Sequence, residues 1–456
     1  MARRTASPTT TAEGLGKPGW LVSLVFAAVT TVLVCYPAWP GFMSYDGLYA
    51  FQQAREGVET MTWPPLHSYM FRASDALGLG TGGVLAFQAF TLFAAAAVIL
   101  HLLVRSRLWA AILCVAFAAL TVIYPTLLGS MLVHWRDVPT ASFTLMGVAF
   151  WLLAARYRAP LLLAPAAAAF GCAVALRYNA VVLVAPMLAL MVWRPLLASP
   201  GRFVRPFAVL CIVAALATAW ASTQWRLPDL ARVPSSGGLG GAQSFDLVGI
   251  SACADRSYLP LAMTGGVTLS PYHIRRNYDP RHLNLTFQPK PGVPPIVDSG
   301  DPAALAAAWR SAVLAEPGCY LAHRLAVSVE QMGMARREVF YVTHGEIDPN
   351  AYGLKLAHPT AANLVVAYIQ RAAEPFWRRP AWLYVLAATL VALAALRDRR
   401  RALLLAALLA GAFAYAGLLF LVSPAADARY IFPSNAICAL LIAAALGLLG
   451  QAGRSR

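Results

Sequence analysis

Apolar runs of membrane length recur along this chain and restrict its fold more than any other feature. Ten of them stand at about 19–38, 83–104, 108–128, 139–155, 160–176, 180–193, 206–225, 380–396, 402–421 and 431–449. A bilayer core of ~30 Å takes about 20 apolar residues as a helix. Backbone polar groups find no partner in lipid, so a spanning segment is either a helix or part of a closed barrel. None of these runs alternates as a barrel strand does. With 59% hydrophobic and only 12% charged residues, a water-soluble fold is excluded. The sequence reads as an all-α polytopic membrane protein of about ten transmembrane helices.

The cations assign the sides. Arg3, Arg4 and Lys17, Arg105 and Arg107, Arg156 and Arg158, Arg194, Arg202 and Arg205, Arg397 and Arg399 to Arg401, and Arg454 and Arg456 share one face if there are ten crossings. By the positive-inside rule that face is the cytoplasm, and both termini lie there. The run 160–193 is interrupted by Arg177-Tyr178-Asn179. Taken as a short hairpin it keeps Arg397 and its neighbours inside; taken as one crossing it would put them outside. The formal net charge of +16 sits largely in short cytoplasmic loops, where topology and anionic headgroups account for it, so no nucleic-acid partner is inferred. The preference for Arg over Lys and the abundance of Ala fit a GC-rich bacterial genome and hence a bacterial cytoplasmic membrane. The first run has no small-residue cleavage site after it and reads as an uncleaved anchor.

The chain divides into a cytoplasmic tail 1–18, an N-terminal transmembrane module 19–225 with a structured first outer loop 39–82, an extracytoplasmic domain 226–379, transmembrane helices 380–449 and a tail 450–456. In the first loop, Tyr45, Leu48, Tyr49 and Phe51 recur at helical spacing, which predicts a helix lying along the membrane with its aromatic side among the headgroups. Ser44 would cap it and put Asp46 in the first turn. Trp63-Pro64-Pro65 forces a turn before a second short helix carrying His67 and Tyr69. In the outer domain, helices are expected at 302–315, 317–337 and 360–375. The start RVPSSGGLGGAQSFD reads as flexible, and 265–300 as a long loop. Cys253 and Cys319 are the two outer cysteines of the seven and are candidates for a disulfide, with two free thiols as the alternative.

Polar residues gather at the outer helix ends. Asp46 is placed either to balance a helix dipole or to serve as a general base, since a carboxylate partly shielded from water gains proton affinity. Asp137, after His134-Trp135-Arg136 and before Val138-Pro139, is a helix N-terminal acid or a second functional carboxylate. A divalent cation (Mg or Mn) is one further option, held by Asp46 and Asp137, with His134 able to join; no cofactor is called for by the sequence. Arg177 and Arg429 return to the same face from distant parts of the chain. They are structural partners of outer carboxylates or, through their planar fork of donors, a phosphate site. Tyr45, His67, His134, Arg136, Asn179 and Tyr430 lie at the same level as candidate substrate contacts. The span interiors are nearly free of ionisable residues, which disfavours ion-coupled transport.

In order along the chain, SYDGLY and WPPLH in the first outer loop, Arg136-Asp137, LRYN at 176–179 and DARYIFP at 427–433 resemble the polytopic glycosyltransferases of the GT-C class. Seven spans, an outer domain and a few further spans resemble that class in layout. The resemblance implies transfer of a sugar from a polyprenyl-phosphate donor to a glycan, lipid or protein acceptor on the extracytoplasmic side. It assigns Asp46 as catalytic base, Asp137 as second acid, and Arg177 and Arg429 as ligands of the donor phosphate. The Asp-x-Asp pair that would mark a metal is missing from the first loop, and ten spans is slightly few. Two other functions compete: a flippase for lipid-linked sugars, which needs a continuous polar path, and a non-catalytic envelope-assembly protein, which would need the outer domain but not Asp46.

Overall fold

The computed structural model describes residues 19–60, 64–193, 204–224, 231–233, 239–283, 301–335 and 339–451. The tails, Trp63, Arg194 and Arg202 lie outside them. The fold is built almost wholly of helices. The first part comprises α1 (Trp20–Cys35), α2 (Tyr45–Glu56), α3 (Leu66–Ala76), α4 (Gly80–Leu103), α5 (Arg107–Ile123), α6 (Pro125–Met131), α7 (Asp137–Tyr157), α8 (Leu163–Leu176), α9 (Val181–Trp193) and α10 (Val204–Gln224). The outer part contains α11 (Gly240–Ala254), α12 (Pro271–Asn277), α13 (Pro302–Ala315), α14 (Pro317–Gln331) and α15 (Pro359–Ala372). The chain ends with α16 (Pro380–Arg397), α17 (Arg399–Val422) and α18 (Phe432–Gln451).

A helix lies at each of the ten apolar runs. Among the described residues six are long and apolar enough to cross a membrane, or seven if the bent pair α5 and α6 is one span; α8, α9 and α10 are shorter. This is a multi-pass membrane protein. The third run is not one continuous helix as its sequence suggests: α5 and α6 meet at 86°. The cause is Pro125, which cannot donate to the α5 ladder and holds Tyr124 extended (φ −88°, ψ 106°), so that Pro125 starts a new helix at N1.

α18 is apolar on every side because every side is covered; it packs against α16, α17, α5 and α7, and α4 and α8 pack on α7. Helix starts follow local chemistry. The Asp301 carboxylate accepts from the Ala303 and Ala304 N–H groups, Asp398 does the same for Arg400 and Arg401, and proline occupies the first turn of α13, α14, α15 and α16.

The outer region departs from its sequence-based description in four ways. The Gly/Ser-rich start does not stay flexible: from Gly240 it forms α11, whose buried face packs on α12, α13 and α14. The long loop contains α12. The helix expected over 317–337 stops at Gln331. In α2, Phe51 faces inward against Phe71 and Tyr352 rather than headgroups, while Tyr45 is 67% exposed. A short parallel pair, Val58–Thr60 with Ala231–Val233, links the first outer loop to the outer domain. A disulfide joins Cys253, at the end of α11, to Cys319, in the first turn of α14.

Candidate functional site

Two backbone contacts bring the first outer loop onto the entry to α7. Phe42 pairs with Val133 as a parallel bridge, its N–H donating to Leu132 O (2.9 Å) and its carbonyl accepting from His134 N–H (2.9 Å). On the other side Met43 exchanges bonds with the loop after α14, through Met43 N–H to Glu346 O (3.0 Å) and Asp348 N–H to Met43 O (2.9 Å). Gly47 lets α2 come down here: a Cβ at that position would lie 3.0 Å from His134 O. Ser44 stands at the N-cap of α2, but its hydroxyl does not cap the helix; it accepts from Trp135 Nε1 (2.9 Å). Asp46 is thereby delivered, in the first turn of α2, beside the residues that start α7.

One cavity results, lined by Asp46, Ala50, Pro64, His67, His134, Trp135, Arg136, Asp137 and Arg429. Six of the residues named from sequence therefore share it. Arg429 Nη1 is ion-paired with Asp46 Oδ2, and its Nε donates to Asp427 Oδ2 at 3.2 Å. Its guanidinium lies over the rings of Trp135 (4.9 Å) and Tyr430 (5.0 Å), with Tyr341 at 6.0 Å, a set of aromatic faces that holds a cation in place. Arg177 leaves the break between α8 and α9 in extended backbone (φ −143°, ψ 110°) and puts Nε 2.6 Å from Asp137 Oδ1. It stacks on the other partner of Arg429, Tyr430, at 4.8 Å. The two carboxylate–arginine pairs thus meet across one tyrosine.

Burial divides the carboxylates. The Asp137 side chain is 1% exposed, and neither oxygen has a well-aligned hydrogen bond despite the short contact with Arg177. Asp46 is 26% exposed. Burial raises the proton affinity of Asp427, against the pull of Arg429. The histidines are held neutral. Burial pushes His67 down to about 3, assisted by the charges of His134 and Arg136, and His134 down to about 4 although Nε2–H donates to Pro40 O (2.9 Å). Burial also lowers Arg136 to about 10, with the Arg177 charge adding to it.

Not every sequence candidate reaches the cavity. Tyr45 points outward and stacks on Tyr49 (5.9 Å); Asn179 approaches Tyr415 of α17; Arg177 and Tyr430 stand one layer behind Asp137 and Arg429. Trp135 and Tyr341, which frame Arg429, were not singled out by sequence. Trp135 sits inside the His134–Asp137 motif, whereas nothing local marks Tyr341. As a cation cage the set is poor, because each carboxylate already faces an arginine and Arg136 is buried beside them. A divalent ion held by Asp46 and Asp137 does not fit these residues. Between α8 and α10 an apolar cavity of about 370 Å³, lined mainly by small residues such as Ala168, Cys172, Ala175 and Ala215, approaches the Arg177 end of α8.

No protein-family model matches the chain, and no curated protein sequence matches it. Among solved structures, the archaeal oligosaccharyltransferase AglB from Archaeoglobus fulgidus, in complex with an inhibitory peptide and a dolichol-phosphate, is similar over 95% of this chain and 50% of its own, at 15% identity and a TM-score of 0.45. ArnT from Cupriavidus metallidurans bound to undecaprenyl phosphate is similar over 96% of this chain and 79% of its own (15% identity, TM-score 0.32); its apo form is similar over 91% and 77% (17% identity, TM-score 0.32). The chain spans about half the length of the archaeal protein it resembles.

Proposed function

We propose that the protein is an inverting membrane glycosyltransferase that moves a sugar from a polyprenyl-phosphate donor to an acceptor hydroxyl at the extracytoplasmic face of a bacterial cytoplasmic membrane. The observation that carries this reading is the meeting of two carboxylate–arginine pairs, Asp46–Arg429 and Asp137–Arg177, from four separate segments, with Asp46, Asp137 and Arg429 lining one small cavity and Arg177 directly behind it. Arginines with planar donor forks suit a phosphate, and a partly exposed carboxylate beside them suits an acceptor proton.

The pairing prescribes an order of events. With Arg429 engaged by Asp46, the base is occupied. A donor phosphate arriving at Arg429 competes for its donors and frees the Asp46 carboxylate. Asp46 then takes the acceptor O–H proton as that oxygen attacks the sugar C1; the C1–O bond to phosphate breaks, and the lipid phosphate leaves with the electron pair, its charge met by Arg429 and Arg177. Attack opposite the leaving group inverts the anomeric centre. The α8–α10 cavity, running from small apolar side chains toward Arg177, would take the first isoprene units. Asp137 holds Arg177 and has unused acceptor capacity for an acceptor hydroxyl. The domain over 226–379 would face the acceptor.

The test is turnover of a polyprenyl-phosphate sugar by protein in lipid nanodiscs. Asp46→Asn is expected to lower kcat about 10²-fold or more, the scale of a lost general base. Undiminished turnover in that variant would refute the assignment, and lipid movement without covalent change would point to a flippase.

A further inference from the structure

The loop that carries Arg429 has no helix or strand of its own between Val422, where α17 ends, and Ala428, yet it is held by hydrogen bonds along its length. Helix α14 supplies three side-chain donors to this loop and to the end of α17, from one stripe and in register. Tyr320 Oη donates to Leu421 O (3.3 Å), Arg324 Nη1 to Ser423 O (2.7 Å) and Gln331 Nε2 to Asp427 O (3.3 Å). Between them Val327 packs on Ala426 and Phe245. Positions 320, 324, 327 and 331 fall on a single helical face, so the stripe runs alongside the loop residue by residue. The opposite edge is closed by Ala426 N–H to Arg281 O (2.7 Å) and Ala428 N–H to Phe340 O (3.3 Å).

The stripe is itself anchored. Arg324 is 1% exposed; its Nη2 donates to Asp246 Oδ2 (2.6 Å), which also accepts from Trp309 Nε1 (2.7 Å). One residue before Tyr320, Cys319 is tied to Cys253 of α11. A carbonyl-capping arginine fixed by a buried carboxylate, on a helix fixed by a disulfide, is a rigid support for a loop that would otherwise pivot at two ends.

We propose that α14 is a splint for the Arg429 loop, and that Arg324 and Gln331 are positioning residues for sugar transfer although neither touches the cavity. The outer domain thereby acts on the chemistry by fixing where Arg429 sits relative to Asp46. The link to turnover rests on the glycosyltransferase reading; the splint itself does not.

The experiment uses full-length protein in nanodiscs and two variants that leave no stranded charge: Gln331→Leu, and the double variant Asp246→Leu/Arg324→Met. Hydrogen exchange read by mass spectrometry should rise about tenfold or more in peptides covering 421–430, with exchange at the start of α7 unchanged. With a polyprenyl-phosphate sugar, kcat should fall about tenfold. Leu305→Ala, in the outer core away from this loop, is the control and should leave exchange at 421–430 and kcat within about twofold of the parent. Unchanged exchange at 421–430 in both variants overturns the splint whatever happens to turnover. Raised exchange with unchanged kcat overturns the positioning role. If the parent protein turns over no such donor, the glycosyltransferase reading fails and the exchange measurement still decides the splint.

Discussion

Two buried charge clusters, one at the helix ends and one in the outer domain, use the same residue types to opposite ends. In the outer cluster Asp246 is 1% exposed; its Oδ2 accepts from Arg324 and Trp309, while Oδ1, 3.4 Å from His323 Nε2, has no aligned hydrogen bond, and Tyr278 Oη stands 2.7 Å from His323 Nδ1. No cavity reaches it among those described. The inner cluster has more charge and less closure: Asp46 is partly exposed, Asp137 has buried oxygens without aligned hydrogen bonds, and both line an opening. An ion pair alone therefore does not mark a reactive site. Unspent hydrogen-bonding capacity beside a cavity does, because only there can a ligand exchange for a partner already present.

The sharpest way to break this comparison is to remove one charge from each cluster. Arg324→Ala strands Asp246, 1% exposed, without its cation and is expected to cost about 3–5 kcal/mol. Asp46→Asn leaves Arg429 with Asp427 and acts on a side chain that reaches solvent, so its cost should stay within about 1 kcal/mol even as turnover is lost. Chemical denaturation of both variants under one set of conditions decides it. Equal losses of stability would mean that the two clusters do the same job.

The difference between the clusters was only half legible in the sequence. Asp46, Asp137, Arg177 and Arg429 stand out because charge is rare in this chain and sits at the ends of apolar runs. Their pairing does not, since Asp46 and Arg429 belong to opposite ends of the sequence. Pairing with an outer carboxylate is one of the two readings the sequence offers for these arginines, but it does not say which carboxylate each one faces. Asp246 was missed for another reason. It follows GGLGGAQSF, which has the composition of a flexible segment, yet the buried face of α11 needs small residues to pack closely; a Cβ at Gly249 would lie 2.2 Å from His323 Nδ1. A sequence reading takes glycine as freedom, and tertiary contact turns it into close packing. Pro125 was the converse case, a strong local breaker hidden inside an apolar run.

A second test sharpens the contrast through the disulfide, which ties α11 to α14 beside the outer cluster and reaches the inner one only through α14. Cys253 and Cys319 are separated by 66 residues, and opening a loop of that size is expected to cost about 2–5 kcal/mol, chiefly by freeing the unfolded chain. Cys253→Ser/Cys319→Ser should lower the unfolding midpoint of the outer domain while leaving the α4–α7–α18 packing intact, as read by protease resistance of the membrane part. Concerted unfolding of both parts would show that the clusters share one cooperative unit.

The last test concerns acid, and here the clusters should slope differently. His67 and His134, held near 3 and 4 in the folded protein mainly by burial, would titrate near 6.5 once unfolded. Between those values the unfolded chain binds the protons and the folded one does not, so stability is full above about pH 6.5 and falls as pH drops toward 4, by at most about 1.4 kcal/mol per pH unit for each histidine. In the outer cluster two shifts oppose. Burial lifts Asp246 to about 6, so the folded state binds the extra proton and stability falls as pH rises through its window; His323, lowered to about 3 by burial and then by Arg324, slopes the other way over the same range. The outer cluster should therefore be nearly flat in pH where the inner one is steep. His67→Gln should flatten the loss of stability between pH 7 and pH 5, and His323→Gln should steepen the opposite, Asp246-driven trend. If His67→Gln leaves the pH profile unchanged, the histidine takes up its proton at the same pH folded as unfolded, and burial does not hold it neutral beside Asp46.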